Sequence, residues 1–264
     1  MYLIDYHSHS ILSPDGNVPL CEMADAAVNA GLSELCLTDH YDIQDLDGKR
    51  TPPYEWGPAL EQFHTTAPRY GDKLQLRLGI ELGGAPVDPD YCAALLQQPE
   101  LDFVIGSLHN LSPASGGGDF YCHPYPDEAA CYTALDDYFT SMEALVLQPD
   151  LYDVLGHIIY PLRYMLPGIT LDRFWDRIAE ILRAAIQRDR GMEVNTCRGV
   201  NVADWRPLLA LYRDLGGTLL TVGADAHIPA HVGGGIPEAY ALIQEMGFRH
   251  VAVYHRRQPT LIPI

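Results

Sequence analysis

The chain has 264 residues, 47% hydrophobic and 20% charged, enough apolar material for a substantial core and incompatible with a disordered or collagen-like chain. Thirty-five acidic against seventeen basic side chains leave a net charge of −18, which repels long nucleic acid and anionic membranes. No run approaches the ~18 apolar residues of a membrane span, the six cysteines form no C-x-x-C pair, and Met1 to Asp5 carry no basic leader, so a soluble cytoplasmic protein with free thiols is expected.

In chain order, strand-like runs are expected at Tyr2 to Tyr6, Glu34 to Leu37, Gln75 to Ile80, Phe103 to Gly106, Val154 to Gly156, Met192 to Val194, Thr218 to Val222 and His250 to Tyr254. Helical patterns fall between most of them, near Leu20 to Ala30, Asp90 to Gln98, Asp127 to Gln148, Leu171 to Arg190, Ala203 to Leu215 and Pro237 to Met246. In the Leu171 helix the residues Leu171, Phe174, Ile178, Ile181 and Ala185 recur at spacings of three and four, which marks an outer helix with one buried stripe. Gly31, Gly216 and Gly247 stand where left-handed C-caps belong. Regular alternation of strand and helix means a parallel sheet with crossover helices, and seven or eight such repeats in one chain fit a barrel spanning residues 1–264 as a single domain. Gly48 to Pro58 and Leu111 to Pro126 read as long loops at one barrel mouth.

The histidines are in phase with these strands. His7 and His9 end the first strand and alternation sends both to one side. The second strand ends in Thr38-Asp39-His40, the third in Glu81, the fourth in His109, the fifth in His157, the sixth in Glu193-Val194-Asn195 and the seventh in Asp225-Ala226-His227. In a parallel barrel the strand C-termini converge, so these remote side chains meet, and imidazoles with carboxylates but no thiolate suit Zn, Mn or Fe. Asp15, in the loop after the first strand, completes about nine ligands, enough for two to three divalent cations. His64, His123, His231, His250 and His255 lack this phasing and read as loop or surface residues, with His123 and His231 near the mouth.

These motifs resemble the PHP (polymerase and histidinol phosphatase) superfamily of metal-dependent phosphoesterases. The likeness rests on Asp5 to His9, Thr38 to His40, Gly79 to Glu81, Gly106 to His109, Tyr152 to His157, Glu193 to Thr196 and Ala224 to His227, in that order. Its histidinol-phosphate phosphatase branch is the nearest likeness, although Ile159 stands where that branch usually carries an acidic residue. The resemblance implies a distorted TIM-like barrel of about seven β/α units. It also implies three cations: one on His7, His9, Glu81 and Asp225, a second on Glu81, His109 and His157, a third on Asp15, His40 and His227. Arg163 and Arg198 match phosphate-binding arginines of that branch. From the residues themselves, Asp15 or His227, or equally a metal-bound water, would protonate the leaving group.

The function expected is hydrolysis of a small phosphate monoester, L-histidinol phosphate foremost, with another phosphorylated metabolite, nucleotide or phosphoprotein as the alternative. An amidohydrolase barrel also begins with H-x-H, but Lys49 and Lys73 are the only lysines and neither ends a strand to carry a bridging carbamate. A metal-stabilised regulatory module without catalysis is disfavoured because all nine expected ligands are present. The absence of a G-x-S-x-G elbow and of a P-loop agrees with chemistry that uses water rather than a protein nucleophile.

Overall fold

The computed structural model describes residues 1–264. Seven parallel strands form a nearly closed barrel: β1 (Ile4–Ser8), β2 (Glu34–Leu37), β4 (Gln75–Gly83), β5 (Phe103–Ser107), β6 (Val154–Leu155), β7 (Gly191–Asn195) and β8 (Leu220–Gly223), hydrogen-bonded in that order. The gap between β8 and β1 is bridged at its upper end, where His9 N donates to Ala226 O at 2.8 Å and Asp225 N to His7 O at 2.9 Å. A short β3 (His40–Asp42) was not expected. It pairs with the second half of β4, which is nine residues long and serves β2 with its first half.

Helices α1 (Leu20–Asn29), α3 (Pro89–Leu95), α4 (Glu128–Val146), α5 (Trp175–Ile186), α6 (Arg206–Asp214) and α7 (Ile236–Glu245) lie where the periodicity places them, within a few residues. Gly31, Gly216 and Gly247 have positive φ, as C-caps require. The start of the Leu171 pattern is a separate 3-10 turn, Asp172–Phe174, before α5. α2 (Trp56–Thr66) had no periodic signal because it buries only Ala59 and Thr66. Of the two long loops, the one from Gly48 runs straight into that helix. The loops meet at Gly48 and Gly117, both at positive φ, where a Cβ on Gly48 would come within 2.7 Å of the Gly117 backbone.

The run His250 to Tyr254 is not a barrel strand. β9 (His250–His255) turns through Arg256 and Arg257, both at positive φ, into β10 (Gln258–Pro263), an antiparallel hairpin across the barrel's N-terminal end. Arg257 Nε sits 3.1 Å from Asp153 Oδ2, Arg256 N donates to Asp102 Oδ1 at 2.9 Å, and Tyr254 N donates to Tyr6 Oη at 2.9 Å. Asp153 is 1% exposed, so removing its cation leaves a buried carboxylate with the Val104 N–H, at 2.9 Å, but no counter-charge in contact. Arg257→Met should therefore lower unfolding free energy by about 3 kcal/mol in urea titration. An unchanged midpoint would show that the hairpin adds nothing to closure of that end.

Candidate metal centre

The C-terminal mouth of the barrel gathers the histidines and carboxylates of the strand ends, Asp39 apart. On β1, Asp5 and His7 point into the barrel and His9 follows them, all three fully buried. Gly223 makes room for this strand, since a Cβ there would lie 2.3 Å from His7 Cβ. Asp5 accepts from the backbone N–H groups of Ala224 and Gly233, at 2.9 Å each, and so fastens the loop after β8. Burial raises its pKa to about 6, against those donors.

Glu81 is the centre of the cluster. Its Oε1 lies 2.8 Å from His157 Nε2 and 3.2 Å from His109 Nε2, and accepts from Ser107 Oγ at 2.7 Å. Its Oε2 lies 2.9 Å from His40 Nδ1, 3.0 Å from His7 Nε2 and 3.6 Å from His9 Nε2. The two oxygens thus address two different sets of imidazoles. Asp225, at φ 59°, divides its oxygens in the same manner. Oδ1 faces His9, His7 and His227 at 3.5, 3.7 and 3.8 Å, whereas Oδ2 accepts from Arg163 Nη1 at 3.1 Å and Asn195 Nδ2 at 3.3 Å. Further out, Asp15 Oδ2 lies 2.9 Å from His227 Nε2 and Asp15 Oδ1 3.9 Å from His40 Nε2.

The donor set fits cations. Groups that converge within 4.8 Å include His7, His9 and Glu81; Glu81, His109 and His157; His7, His157 and Asp225; and His9, His40 and His227. His9 Nε2, His40 Nδ1 and His227 Nε2 are buried without any hydrogen-bond partner, although carboxylate oxygens stand as near as 2.9 Å. Nitrogens that approach carboxylates without aligning on them are aimed at a common centre, as ligands of a shared ion are.

The electrostatics agree. Burial would raise the Glu81 carboxyl, but His7, His40 and His109 hold it well below its ordinary value. Burial would lower His7, yet Glu193, Glu81 and Asp225 hold it well above. His40, against the same burial, is raised to about 9 by Glu81. His109 is raised in like manner by Asp42 and Glu81, while burial and neighbouring imidazoles keep His9 and His157 below the ordinary value, so their lone pairs are free. Without ions, then, the site holds protons on His7, His40 and His109 through neutral pH. Zinc uptake by the metal-free protein should release those protons and weaken as pH falls from 9 to 6. Titration calorimetry in buffers of different ionisation enthalpy reads this; a binding heat independent of buffer would overturn it.

The residues that hold these ligands were only partly visible beforehand. Glu193 accepts from His7 Nδ1 at 2.6 Å and from His157 N at 2.8 Å, fixing two imidazoles at once. Asp42 lies 2.7 Å from His109 Nδ1 and shares a face of β3 with His40, an i, i+2 signal that an unrecognised strand concealed. Asp39 stays outside the cluster and takes Ser10 and Ser13, of which Ser13 Oγ in turn meets His9 Nδ1 at 3.0 Å. Arg163 is tied to Asp225 and, through Nη2 at 2.8 Å, to Asn195, whereas Arg198 is exposed at φ 62° and pairs with no carboxylate. His64 pairs with Glu100 on the surface and His255 with Asp102 at the far end of the barrel. Lys49 is exposed beside Asp47, which leaves the amidohydrolase bridge without a lysine.

Comparison with known proteins agrees with this geometry. Histidinol-phosphatase of Lactococcus lactis is 26% identical over 96% of this chain and 95% of its own length. A probable histidinol-phosphatase of Thermotoga maritima is 25% identical over 98% of this chain and 99% of its own. Among solved structures, histidinol phosphate phosphatase from L. lactis, complexed with zinc, L-histidinol and phosphate, superposes with a TM-score of 0.84 at 25% identity, covering 98% of both chains. Residues 5–197 match the PHP domain, a span that holds every strand-phased histidine and carboxylate except Asp225 and His227, and the chain belongs to the PHP domain family.

Proposed function

We propose that this protein hydrolyses L-histidinol phosphate to L-histidinol and phosphate, using two to three divalent cations, zinc among them, with residues 1–264 acting as one catalytic domain. The observation that carries the reading is the convergence of eight strand-phased histidines and carboxylates around Glu81 and Asp225, with Asp15 beside them, in a chain that matches a zinc-bound histidinol phosphate phosphatase over nearly its whole length. His7, His9, Glu81 and Asp225 would hold one ion, Glu81, His109 and His157 a second, and Asp15, His40 and His227 a third. Bound there, such ions supply an ionised water near neutral pH and neutralise phosphoryl oxygens.

The protein's own side chains supply the rest. Glu193 and Asp42 lock the imidazoles of His7 and His109 so that each turns its Nε2 to the centre. Arg198, free of carboxylates, offers a planar fork to the phosphoryl group. Asp15 and His227 lie 2.9 Å apart and partly open to solvent, and one of them, or equally a water held there, would return a proton to the departing alcohol. Ser13, whose hydroxyl lies against His9, is buried and donates to Asp39, which leaves water as the attacking group.

A phosphate-release screen tests the reading. Protein reconstituted with zinc, manganese or iron should hydrolyse L-histidinol phosphate with higher kcat/KM than nucleotides or glycerol phosphate, and chelation should abolish turnover. Turnover that survives chelation, or a nucleotide preferred over L-histidinol phosphate, would overturn it.

A further inference from the structure

The hairpin at the barrel's N-terminal end forms a sheet of its own, in which β10 has a neighbour on one side only. The other side is an open edge. Gln258, Pro259, Thr260, Leu261 and Pro263 are all exposed, and the strand runs in unbroken register against β9 with neither a bulge nor a charged side chain. Leu261, at its centre, is 42% exposed. A regular, uncharged edge of this kind is a template for pairing with another chain, and proteins block such edges with charges, bulges or proline.

Two contacts establish which amides of β10 face outward. Tyr254 N donates to Tyr6 Oη at 2.9 Å, away from β10, so Tyr254 and its cross-strand partner Pro259 are a pair without mutual hydrogen bonds. Ile264 N donates to Arg249 O at 3.0 Å, so the even-numbered residues turn their amides inward to β9. Residues 259, 261 and 263 therefore present the outer edge. Two of these three are proline, which carries no N–H. At 260 or 262 a proline would remove a bond of the hairpin itself, whereas at 259 and 263 it removes only what a further strand would use.

We propose that the β10 edge is a pairing surface for a second copy of this chain, held closed by Pro259 and Pro263. A two-fold axis at Leu261 would set that residue opposite its own copy, where antiparallel strands exchange a pair of hydrogen bonds, and would set residue 259 of each copy opposite residue 263 of the other. Proline withdraws the donor at both flanking positions in both copies, so only the central pair of bonds is left. That pair must offset the lost freedom of two molecules and the repulsion between two chains of net charge −18, which it does not. The edge lies at the end of the barrel away from the metal centre, so its pairing state is independent of the reaction.

Sedimentation velocity of the zinc-loaded protein over a concentration series tests this. The double variant Pro259→Thr, Pro263→Thr regains both donors in residues that suit a strand, and should shift toward twice the wild-type mass as concentration rises while zinc content and kcat/KM stay as in wild type. Adding Leu261→Lys sets two like charges opposite each other at the axis and should return sedimentation to that of wild type. The proposal is overturned if the double variant sediments as wild type. It is overturned equally if the association survives Leu261→Lys, which assigns it to another surface, or if wild type itself self-associates and Leu261→Lys alone abolishes this, since the prolines then do not close the edge. Loss of zinc or of circular dichroism in the double variant would make the prolines supports of the fold and overturn it as well.

Discussion

Glu81→Gln should lose bound metal at more than one position and lower kcat/KM roughly 1,000-fold, about 4 kcal/mol of transition-state stabilisation. The expectation follows from the two carboxylate oxygens, each turned to a different set of imidazoles: His157 and His109 on one side, His40, His7 and His9 on the other. Glutamine keeps the shape but offers one acceptor oxygen and one amide nitrogen, so at most one set keeps its anionic partner. The Ser107 hydroxyl, which donates to Oε1, would hold the carbonyl oxygen on the His157 side and turn the amide toward His7 and His40. His9→Gln, in contrast, removes a single imidazole whose Nε2 is 3.5 Å or more from both carboxylates. Elemental analysis of both variants after reconstitution, with circular dichroism to confirm folding, decides the matter. Equal metal retention in the two would show that Glu81 is not shared between ions.

The barrel and its centre were legible because both depend on the same period. A parallel barrel needs strands at regular intervals, and ligands at strand C-termini repeat with them, so His7, Glu81, His109, His157 and Asp225 mark the fold and the site together. Elements without such a period were not legible. α2 buries two small side chains and shows no apolar stripe, and β3 is three residues long with only Tyr41 buried. The last strand misled, because Val251 to Tyr254 is as apolar as a barrel strand yet ends in Arg256 and Arg257, a turn pair that sequence habits assign to asparagine and glycine. Supporting residues such as Glu193 were visible as strand-end carboxylates, but whether a carboxylate faces an ion or an imidazole depends on side-chain reach, which spacing does not encode.

Arg163→Met should lower both zinc content and kcat/KM, whereas Arg198→Met should lower kcat/KM and leave zinc in place. The resemblance gives both arginines to phosphate, but their surroundings differ. The Arg163 guanidinium is largely buried, its Nη1 and Nη2 are taken by Asp225 Oδ2 and Asn195 Oδ1, and burial is outweighed by Asp225 in holding its pKa above the ordinary value. Asp225 turns its other oxygen to His7, His9 and His227, so Arg163 would act on an ion held there through the carboxylate that it orients. Loss of such an outer partner weakens metal affinity about 10- to 100-fold. Arg198 is exposed and without a carboxylate, and its removal should cost about 2 to 4 kcal/mol, roughly 30- to 1,000-fold in kcat/KM, as for a donor to a group that gains charge in the transition state. Lysine at 198 should restore part of that loss, because it returns the charge without the fork. Lysine at 163 should restore little, because a single ammonium does not span Asp225 and Asn195 together. Zinc content measured beside steady-state kinetics on L-histidinol phosphate separates the two roles. Full zinc retention in Arg163→Met with a rate loss equal to that of Arg198→Met would return Arg163 to the phosphate.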